Sequence, residues 1–254
     1  MDAGSFIARK YRIWQRVQTA VELIYPPRCL SCGELTESDF GLCALCWRDT
    51  PFIGGTVCDR CGMPLPGGTD GHRIECDDCL KAPRPWRDGR AALLYQGRAR
   101  SLILALKHSD RPELARPAAQ WMAQAGRGLF RPGMVIAPVP LHWSRLIKRR
   151  YNQSALLAQH LGREVGLETC PDLLTRRAKT PVLDGKTAAE RARLLKNAIS
   201  AHPKRRHRMH GRDVLLVDDV MTSGATLAAC TQACISSGAN HIFVLVLARV
   251  AKDA

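Results

Sequence analysis

Four Cys-x-x-Cys units between residues 29 and 79 constrain the fold of this chain more than any other feature. Two thiolates at this spacing can converge from one tight turn, and two such turns complete a tetrahedral zinc shell. Because four sulfurs leave no open coordination position, a metal held in this way is structural rather than catalytic. The sequence therefore predicts two structural Zn²⁺ ions, with these ligands: Cys29, Cys32, Cys43, Cys46, Cys58, Cys61, Cys76 and Cys79.

An internal repeat bears on how the cysteines divide between the two ions. Cys32 and Cys61 are each followed by glycine, which suits the positive φ of a knuckle turn, whereas the second unit of each half lacks it. The repeat favours consecutive grouping, with the first two units on one ion and the last two on the other. An interleaved arrangement stays open. Iron–sulfur ligation or redox chemistry fits less well, because the former uses denser clusters and the latter would not need four copies.

The composition changes along the chain. Residues 28–86 are rich in Cys, Gly and Pro and lack long periodic segments, so an apolar core alone cannot hold them. From residue 87 to 254, apolar strand patterns alternate with helical ones, which predicts an α/β domain with a mostly parallel sheet covered by helices. We expect three parts: an N-terminal amphipathic helix over 1–27, a double zinc ribbon over 28–86, and the α/β domain over 87–254.

The N-terminal region bears on location. Charges or glutamine interrupt every apolar run there, so neither a signal peptide nor a transmembrane segment is predicted. We expect a cytoplasmic protein with reduced thiols, and an N-terminal helix that packs on it. In the alternative, the helix lies on a membrane surface through its basic residues, which would place the protein peripherally at the inner membrane. Those residues are Arg9, Lys10, Arg12 and Arg16.

The run VLLVDDVMTSGAT at residues 214–226 places two carboxylates, Asp218 and Asp219, after an apolar strand pattern. Such an acidic pair can accept hydrogen bonds from vicinal hydroxyls or hold a divalent cation. The following loop offers backbone N–H groups, hydroxyls and the positive end of a predicted helix, all of which suit phosphate. The run therefore predicts a sugar site beside a phosphate site. We call the phosphate part the hydroxyl loop: Thr222, Ser223, Gly224, Ala225 and Thr226.

Other interpretations of this run are weaker. A P-loop would need Gly-Lys-Ser/Thr, and a dinucleotide fold would need its glycine triplet after an early strand. Only 35 residues follow Asp219, which is too few for the rest of a phosphoacceptor receiver domain. A purely structural role, in which the acidic pair caps the helix, is the remaining alternative.

The run resembles the phosphoribosyl-pyrophosphate motif of type I phosphoribosyltransferases. By that resemblance, Asp218 and Asp219 bind the ribose hydroxyls and act in catalysis, and the hydroxyl loop binds the 5′-phosphate. The resemblance implies a type I phosphoribosyltransferase-like fold, and Mg²⁺ that binds together with phosphoribosyl pyrophosphate. In a transfer reaction, Mg²⁺ and cationic side chains would stabilise the charge that develops on the leaving pyrophosphate.

Cysteine pairs ahead of such a domain resemble the ComF family of competence proteins, over nearly the whole chain after the N-terminal helix. The stretch APVPLHWSRLIKRRYNQSALLA, residues 137–158, is similar to that family's P-V-P-L-H and R-G-F-N-Q motifs, although Arg150 stands where glycine is usual. Arg145 and Arg149 are candidates for the pyrophosphate side of the site, with Lys107 second. For the two arginines, a solvated helix face is the alternative.

The ComF resemblance implies an accessory factor in competence, DNA uptake or the handling of single-stranded DNA. Its expected partners are phosphoribosyl pyrophosphate or a related sugar phosphate, single-stranded DNA and DNA-uptake proteins. Lys and Arg outnumber Asp and Glu by 38 to 23, which suits anionic ligands. The alternative is an active phosphoribosyltransferase with an unknown acceptor in nucleotide metabolism. Leu183 and Leu194 replace a glutamine and an asparagine of the family pattern, which leaves turnover open.

Overall fold

The computed structural model describes residues 26–36, 41–68, 71–108, 111–176 and 198–251. The predicted N-terminal helix, up to its terminating Pro26 and Pro27, lies outside them, as do Leu183 and Leu194. The chain divides into two compact units, Met1–Asp49 and Thr50–Ala254. The second unit contains both the last two cysteine pairs and the α/β part of the chain. The expected domain boundaries after residues 27 and 86 stay a prediction.

The first unit is built around its cysteines. Gly33 has a φ of +80°, and its N–H donates to the carbonyl of Cys29 at 2.9 Å, which closes the first knuckle turn. An antiparallel bridge joins Arg28 to Leu35. The short helix α1, Ala44–Arg48, begins immediately after Cys43, so it carries the second cysteine pair of this unit.

The second unit is organised by a five-stranded parallel sheet. Its strand order is β1-β7-β6-β2-β3, and each adjacent pair runs parallel. These strands are β1 (Asp88–Leu94), β2 (Val135–Pro138), β3 (Glu168–Thr169), β6 (Val214–Met221) and β7 (Ile242–Arg249). A separate antiparallel pair is formed by β4 (Leu174–Arg176) and β5 (Ile199–Ala201). The predicted mostly parallel sheet is confirmed.

Helices cover both faces of the sheet. The α-helices of this unit are α2 (Asp77–Lys81), α3 (Gly97–His108), α4 (Ala115–Ala125), α5 (Trp143–Arg149), α6 (Gln153–Val165) and α7 (Ala225–Ile235). Short 3-10 turns lie at Pro112–Leu114 and Arg206–Arg208. Helix α4 packs on β1 and β7, α6 packs on β2 and β6, and these two helices pack on each other. Within the described residues, no helix is long and apolar enough to cross a bilayer.

The second cysteine set is part of the core of this unit. Cys58, Cys61 and Cys79 are fully buried in the cluster that contains Leu216 of β6 and Leu227 of α7. The members of this cluster on β7, Ile242, Val244 and Val246, alternate along the strand, as expected for one face of a pleated sheet. The zinc ligands and α7 therefore share one hydrophobic layer, and α4 and α6 lie on the opposite face.

The topology brings the predicted site together. In a parallel sheet all strands end at the same edge, and ligands usually bind there. Strand β2 leads into the PVPLH stretch and strand β6 leads into the hydroxyl loop, and the two strands are direct neighbours. The N–H of Val139, just after β2, donates to the carbonyl of Val217 in β6 at 2.9 Å.

Candidate functional site

The eight predicted zinc ligands form two sets of four, and the grouping is consecutive. The first set is Cys29, Cys32, Cys43 and Cys46, the second set is Cys58, Cys61, Cys76 and Cys79, and within each set all sulfurs lie within 4.8 Å of one another. The sulfur–sulfur distances from Cys32 to Cys43 and from Cys61 to Cys76 are 3.7 and 3.6 Å. Tetrahedral ligation at a Zn–S distance of about 2.3 Å requires sulfurs about 3.8 Å apart.

Charge also favours a cation in each set. Burial would raise the pKa of Cys29, but the N–H groups of Cys32, Cys43 and Ser31 lower it to about 6. A hydrogen bond from Cys61 lowers the pKa of Cys58 to about 4, while the Cys58 thiolate and burial raise the pKa of Cys61. One thiolate per set is thus favoured, while the pKa values of Cys46 and Cys61 are raised by burial and by the neighbouring sulfurs. A dication removes that repulsion, so Zn²⁺ fits the residues present.

The acidic pair lies within strand β6, which runs through it to Met221 and does not end before it. Because strand side chains alternate, the two carboxylates meet different neighbours. Asp218 Oδ1 accepts hydrogen bonds from the Ser154 hydroxyl at 2.8 Å and from the Asp219 N–H at 2.9 Å. Asp219 is buried, and its Oδ1 lies 3.0 Å from Lys107 Nζ.

The pKa of the Asp218 carboxyl group is raised strongly. Desolvation by burial and the adjacent Asp219 charge raise its pKa to about 7, while Ser154, the Asp219 N–H and Lys107 act in the opposite direction. Near neutral pH the carboxyl group therefore holds its proton part of the time. A ligand that donates hydroxyl hydrogens to this oxygen favours the ionised form and displaces that proton.

Lys107 and the start of α6 are held by the stretch that resembles R-G-F-N-Q. Tyr151 Oη donates to the carbonyl of Leu106 at 2.6 Å, and Gln153 Nε2 donates to the carbonyl of Lys107 at 3.5 Å. Asn152 caps α6 by accepting from the Ser154 N–H at 3.1 Å. These bonds hold the end of α3 against the start of α6, which brings Lys107 and Ser154 to the acidic pair.

The cations predicted for the pyrophosphate side are only partly described. Arg149 is partly buried, and its Nη1 donates to Gln153 Oε1 at 3.3 Å. The side chain of Arg145 lies outside the described part of the structure, so its role stays a prediction. Arg150 has a φ of 65°, the single positive value among the described non-glycine residues. The glycine that is usual at this position would adopt that conformation without strain.

The hydroxyl loop turns from β6 into α7. Thr222, Ser223 and Gly224 form the turn, and Ala225 and Thr226 open the helix, so their N–H groups lie at its positive end. Gly224 has a φ of 79°, and Ser223 Oγ accepts from the Ala225 N–H at 3.5 Å. All five residues therefore lie together between the end of β6 and the first turn of α7, two residues after the acidic pair.

Two arginines that were not predicted from the sequence donate hydrogen bonds to the backbone of this turn. Buried Arg249, the last residue of β7, donates through Nη1 to the carbonyls of Met221 and Thr222. Arg84 donates through Nη1 to the carbonyl of Ser223. For Arg249, the sequence signal that could have identified it is its position at the end of the apolar run HIFVLVLAR. Arg84 had no such signal.

The cysteine-rich part of the chain matches a known protein family. Residues 20–80 match the family described as a double zinc ribbon domain. Together with the two Cys₄ sets, this match identifies a double zinc ribbon with structural zinc sites. The fold and motifs define the class: a zinc-ribbon protein with a type I phosphoribosyltransferase-like α/β domain.

Curated relatives cover most of the chain. It is 32% identical over 234 residues to the DNA utilization protein YhgH of Escherichia coli strain K12, a match that covers 89% of this chain and 99% of that protein. It is 30% identical over 228 residues to Competence protein F of Haemophilus influenzae, covering 87% of this chain and 96% of that protein. The chain therefore belongs to the ComF family.

Solved structures show weaker likeness. Adenine phosphoribosyltransferase of Thermoanaerobacter pseudethanolicus matches at 16% identity and a TM-score of 0.34, over 55% of this chain and 83% of that one. The allosteric regulatory enzyme of purine biosynthesis matches at 17% identity and a TM-score of 0.39, over 57% of this chain and 30% of that one. The family assignment rests on the curated relatives instead.

Proposed function

We propose that the α/β domain binds phosphoribosyl pyrophosphate or a related sugar phosphate at the end of β6. The observation that carries this proposal is that two different binding surfaces follow each other along the chain, one at the end of β6 and one on the turn after it. The carboxylates of Asp218 and Asp219 offer acceptors for vicinal hydroxyls, and the hydroxyl loop offers donors for a phosphate at the start of a helix. A sugar phosphate presents those two groups at a short, fixed separation.

Each residue has a distinct task in this proposal. Asp218 and Asp219 accept the 2′ and 3′ hydroxyls of the ribose, and Lys107 holds Asp219 in the correct rotamer through its 3.0 Å contact. The backbone of the hydroxyl loop surrounds the 5′-phosphate. Arg145 and Arg149 are the proposed cations for the pyrophosphate side. Mg²⁺ would bind with the ligand and neutralise pyrophosphate charge, since this ion usually binds through substrate phosphates and only one or two carboxylates.

Titration calorimetry with phosphoribosyl pyrophosphate and Mg²⁺ tests the binding proposal. The wild type should give saturable heat, and the variant Asp218→Ala/Asp219→Ala should give none. Binding should also release protons at about pH 7, because Asp218 becomes fully ionised, and release fewer at about pH 9. Equal heats from the two proteins, or none from either, would overturn the proposal.

We further propose that this protein is a cytoplasmic accessory factor in competence, DNA uptake or single-stranded DNA handling. The names of the two relatives support such a role, and a cytoplasmic location suits zinc thiolates, which must stay reduced. Single-stranded DNA and DNA-uptake proteins are the proposed partners.

The charge distribution limits where DNA would bind. In the basic segment around the 3-10 turn Arg206–Arg208, Arg205 pairs with Asp172 at 2.8 Å, and Arg212 pairs with Glu168 at 2.9 Å. These cations are therefore partly neutralised within the protein.

If the protein contacts DNA directly, affinity for a single-stranded oligonucleotide should fall steeply with rising salt. An absence of binding at low salt would contradict direct contact.

A further inference from the structure

Arg84 lies between the second cysteine set and the hydroxyl loop. Its Nη1 donates to the carbonyl of Ser223 in the loop. Its guanidinium group also lies over the ring of Trp86, which belongs to the same buried cluster as the second cysteine set. Arg84 thus connects the backbone of the predicted phosphate site to the layer that contains these cysteines.

Trp86 fills the space beneath the same turn. It is 1% exposed, and the Arg84 guanidinium carbon lies 5.7 Å from the centroid of its ring. A Cβ on Gly224 would lie 2.9 Å from Trp86 Cη2 and 3.2 Å from Arg84 Nη1. Because both distances are shorter than ordinary van der Waals contact, the loop packs on Arg84 and Trp86 without spare room.

Trp86 is in turn fixed by the knuckle between Cys58 and Cys61. Its Nε1 donates to the carbonyl of Arg60 at 2.6 Å, and Arg60 Nη1 donates back to the carbonyl of Trp86 at 2.7 Å. Arg60 Nε also lies 2.8 Å from Glu75 Oε1, next to Cys76 in sequence. Both turns of the second cysteine set are therefore bonded to the segment that supports the loop.

We propose that the second zinc site is a structural part of the ligand site, and that Arg84 is the positioning residue that connects them. Zinc fixes the knuckle whose Arg60 carbonyl accepts the hydrogen bond from Trp86 Nε1. Arg84 lies over the Trp86 ring and holds the Ser223 carbonyl, so that the loop N–H groups converge on phosphate. The first cysteine set has no part in these contacts. This inference rests on the proposed function only for the identity of the ligand, because the positioning of the loop can be measured without it.

The test compares Arg84→Met with Arg87→Met. Methionine keeps an unbranched stem and removes the guanidinium group, and Arg87 is a matched control because its exposed side chain pairs only weakly with Asp88, at 3.6 Å. The first readout is hydrogen exchange, by mass spectrometry, of the peptide that contains residues 222–226, without ligand. Arg84→Met should speed this exchange about tenfold, the effect of losing one charge-assisted hydrogen bond, and Arg87→Met should not.

The second readout is the affinity for phosphoribosyl pyrophosphate with Mg²⁺, which should fall about tenfold in Arg84→Met while the zinc content stays at that of the wild type. A matched pair of ligand variants, Cys79→Ser and Cys46→Ser, tests the metal: only Cys79→Ser should speed exchange in the loop. If Cys79→Ser does not fold, Arg84→Met alone decides the question.

The outcomes separate the two proposals. Unchanged loop exchange in Arg84→Met, or equal acceleration by Cys46→Ser and Cys79→Ser, overturns the positioning role. If the wild type gives no heat with phosphoribosyl pyrophosphate but Arg84→Met still loosens the loop, the ligand is wrong and the connection between zinc site and loop stands.

Discussion

Replacing Asp218 by asparagine should stabilise the protein while abolishing the proposed binding. The carboxyl group is held in a place that disfavours its charge: burial and the neighbouring Asp219 raise its pKa from 3.8 to about 7. Asparagine has nearly the same shape and keeps an oxygen that can accept from the Ser154 hydroxyl and the Asp219 N–H. The substitution therefore removes the cost of ionisation without removing the two hydrogen bonds.

The size of the effect follows from the pKa change. At about 1.4 kcal/mol for each pH unit, the rise from 3.8 to about 7 sets an upper bound of about 4 kcal/mol on the cost of ionising Asp218 in the folded protein. Since the side chain is partly exposed at the edge of the sheet, water reduces that cost. We expect Asp218→Asn to raise the free energy of unfolding by about 2 kcal/mol at about pH 8.

The sign of the pH dependence is fixed by the same reasoning. Because the pKa of Asp218 is higher in the folded protein than in the unfolded chain, proton binding stabilises the folded state fully when the pH lies below the unfolded pKa. This stabilisation is lost as the pH rises through the folded pKa. The wild type should therefore lose stability relative to Asp218→Asn between about pH 4 and about pH 7, and no further above it.

Urea unfolding of the wild type and Asp218→Asn at about pH 5.5 and about pH 8 measures this difference, and the gain at the lower pH should be roughly half that at the higher. Comparison at equal pH cancels any loss of zinc that both proteins share. A variant less stable than the wild type at about pH 8, or a gain that does not change with pH, would show that Asp218 is not held against its charge.

Four further substitutions have definite expected outcomes. Arg150→Gly should raise the free energy of unfolding by about 1 kcal/mol in urea titrations, since glycine adopts the positive φ at this position without strain; destabilisation would contradict that reasoning. Ser154→Ala should raise the Asp218 pKa further, so phosphoribosyl pyrophosphate should bind about fivefold more weakly at about pH 7 and less so at about pH 9 in calorimetry. Gly62→Ala should destabilise its unit by about 3 kcal/mol, because the added Cβ would lie 2.5 Å from a backbone nitrogen, whereas Gly33→Ala, with open space, should cost about 1 kcal/mol; urea unfolding with zinc release as the signal should separate the two.

The parts of the site that the sequence predicts are those encoded in one short segment. Only two residues separate the acidic pair from the hydroxyl loop, so the apolar run, the two carboxylates and the helix start could be interpreted together. The predicted alternation of strands and helices is also local and is confirmed by β1, β2, β6 and β7. Strand β6 extends further than expected, through Asp218 and Asp219, because a strand end can carry charge where it reaches the edge of the sheet.

Contacts between distant segments could not be predicted in this way. Ser154 and Asp218 are 64 residues apart, and Arg84 and Ser223 are 139 residues apart. Neither Ser154 nor Arg84 belongs to a pattern that reveals its partner. Only the parallel order of β2 and β6 and the packing of the second cysteine set bring these side chains to the acidic pair and the loop.

The two cysteine sets illustrate how one repeated motif acquires two roles. Both consist of two Cys-x-x-Cys units with a glycine after the first, yet Cys32 is exposed and Cys61 is fully buried. Gly33 has nothing within 4 Å of an added Cβ, whereas Gly62 packs on the backbone of β1. A zinc ion in the first set stabilises its own small unit. In the second set it stabilises the hydrophobic layer on which α7 and the hydroxyl loop pack. Loss of that metal should therefore disturb the ligand site.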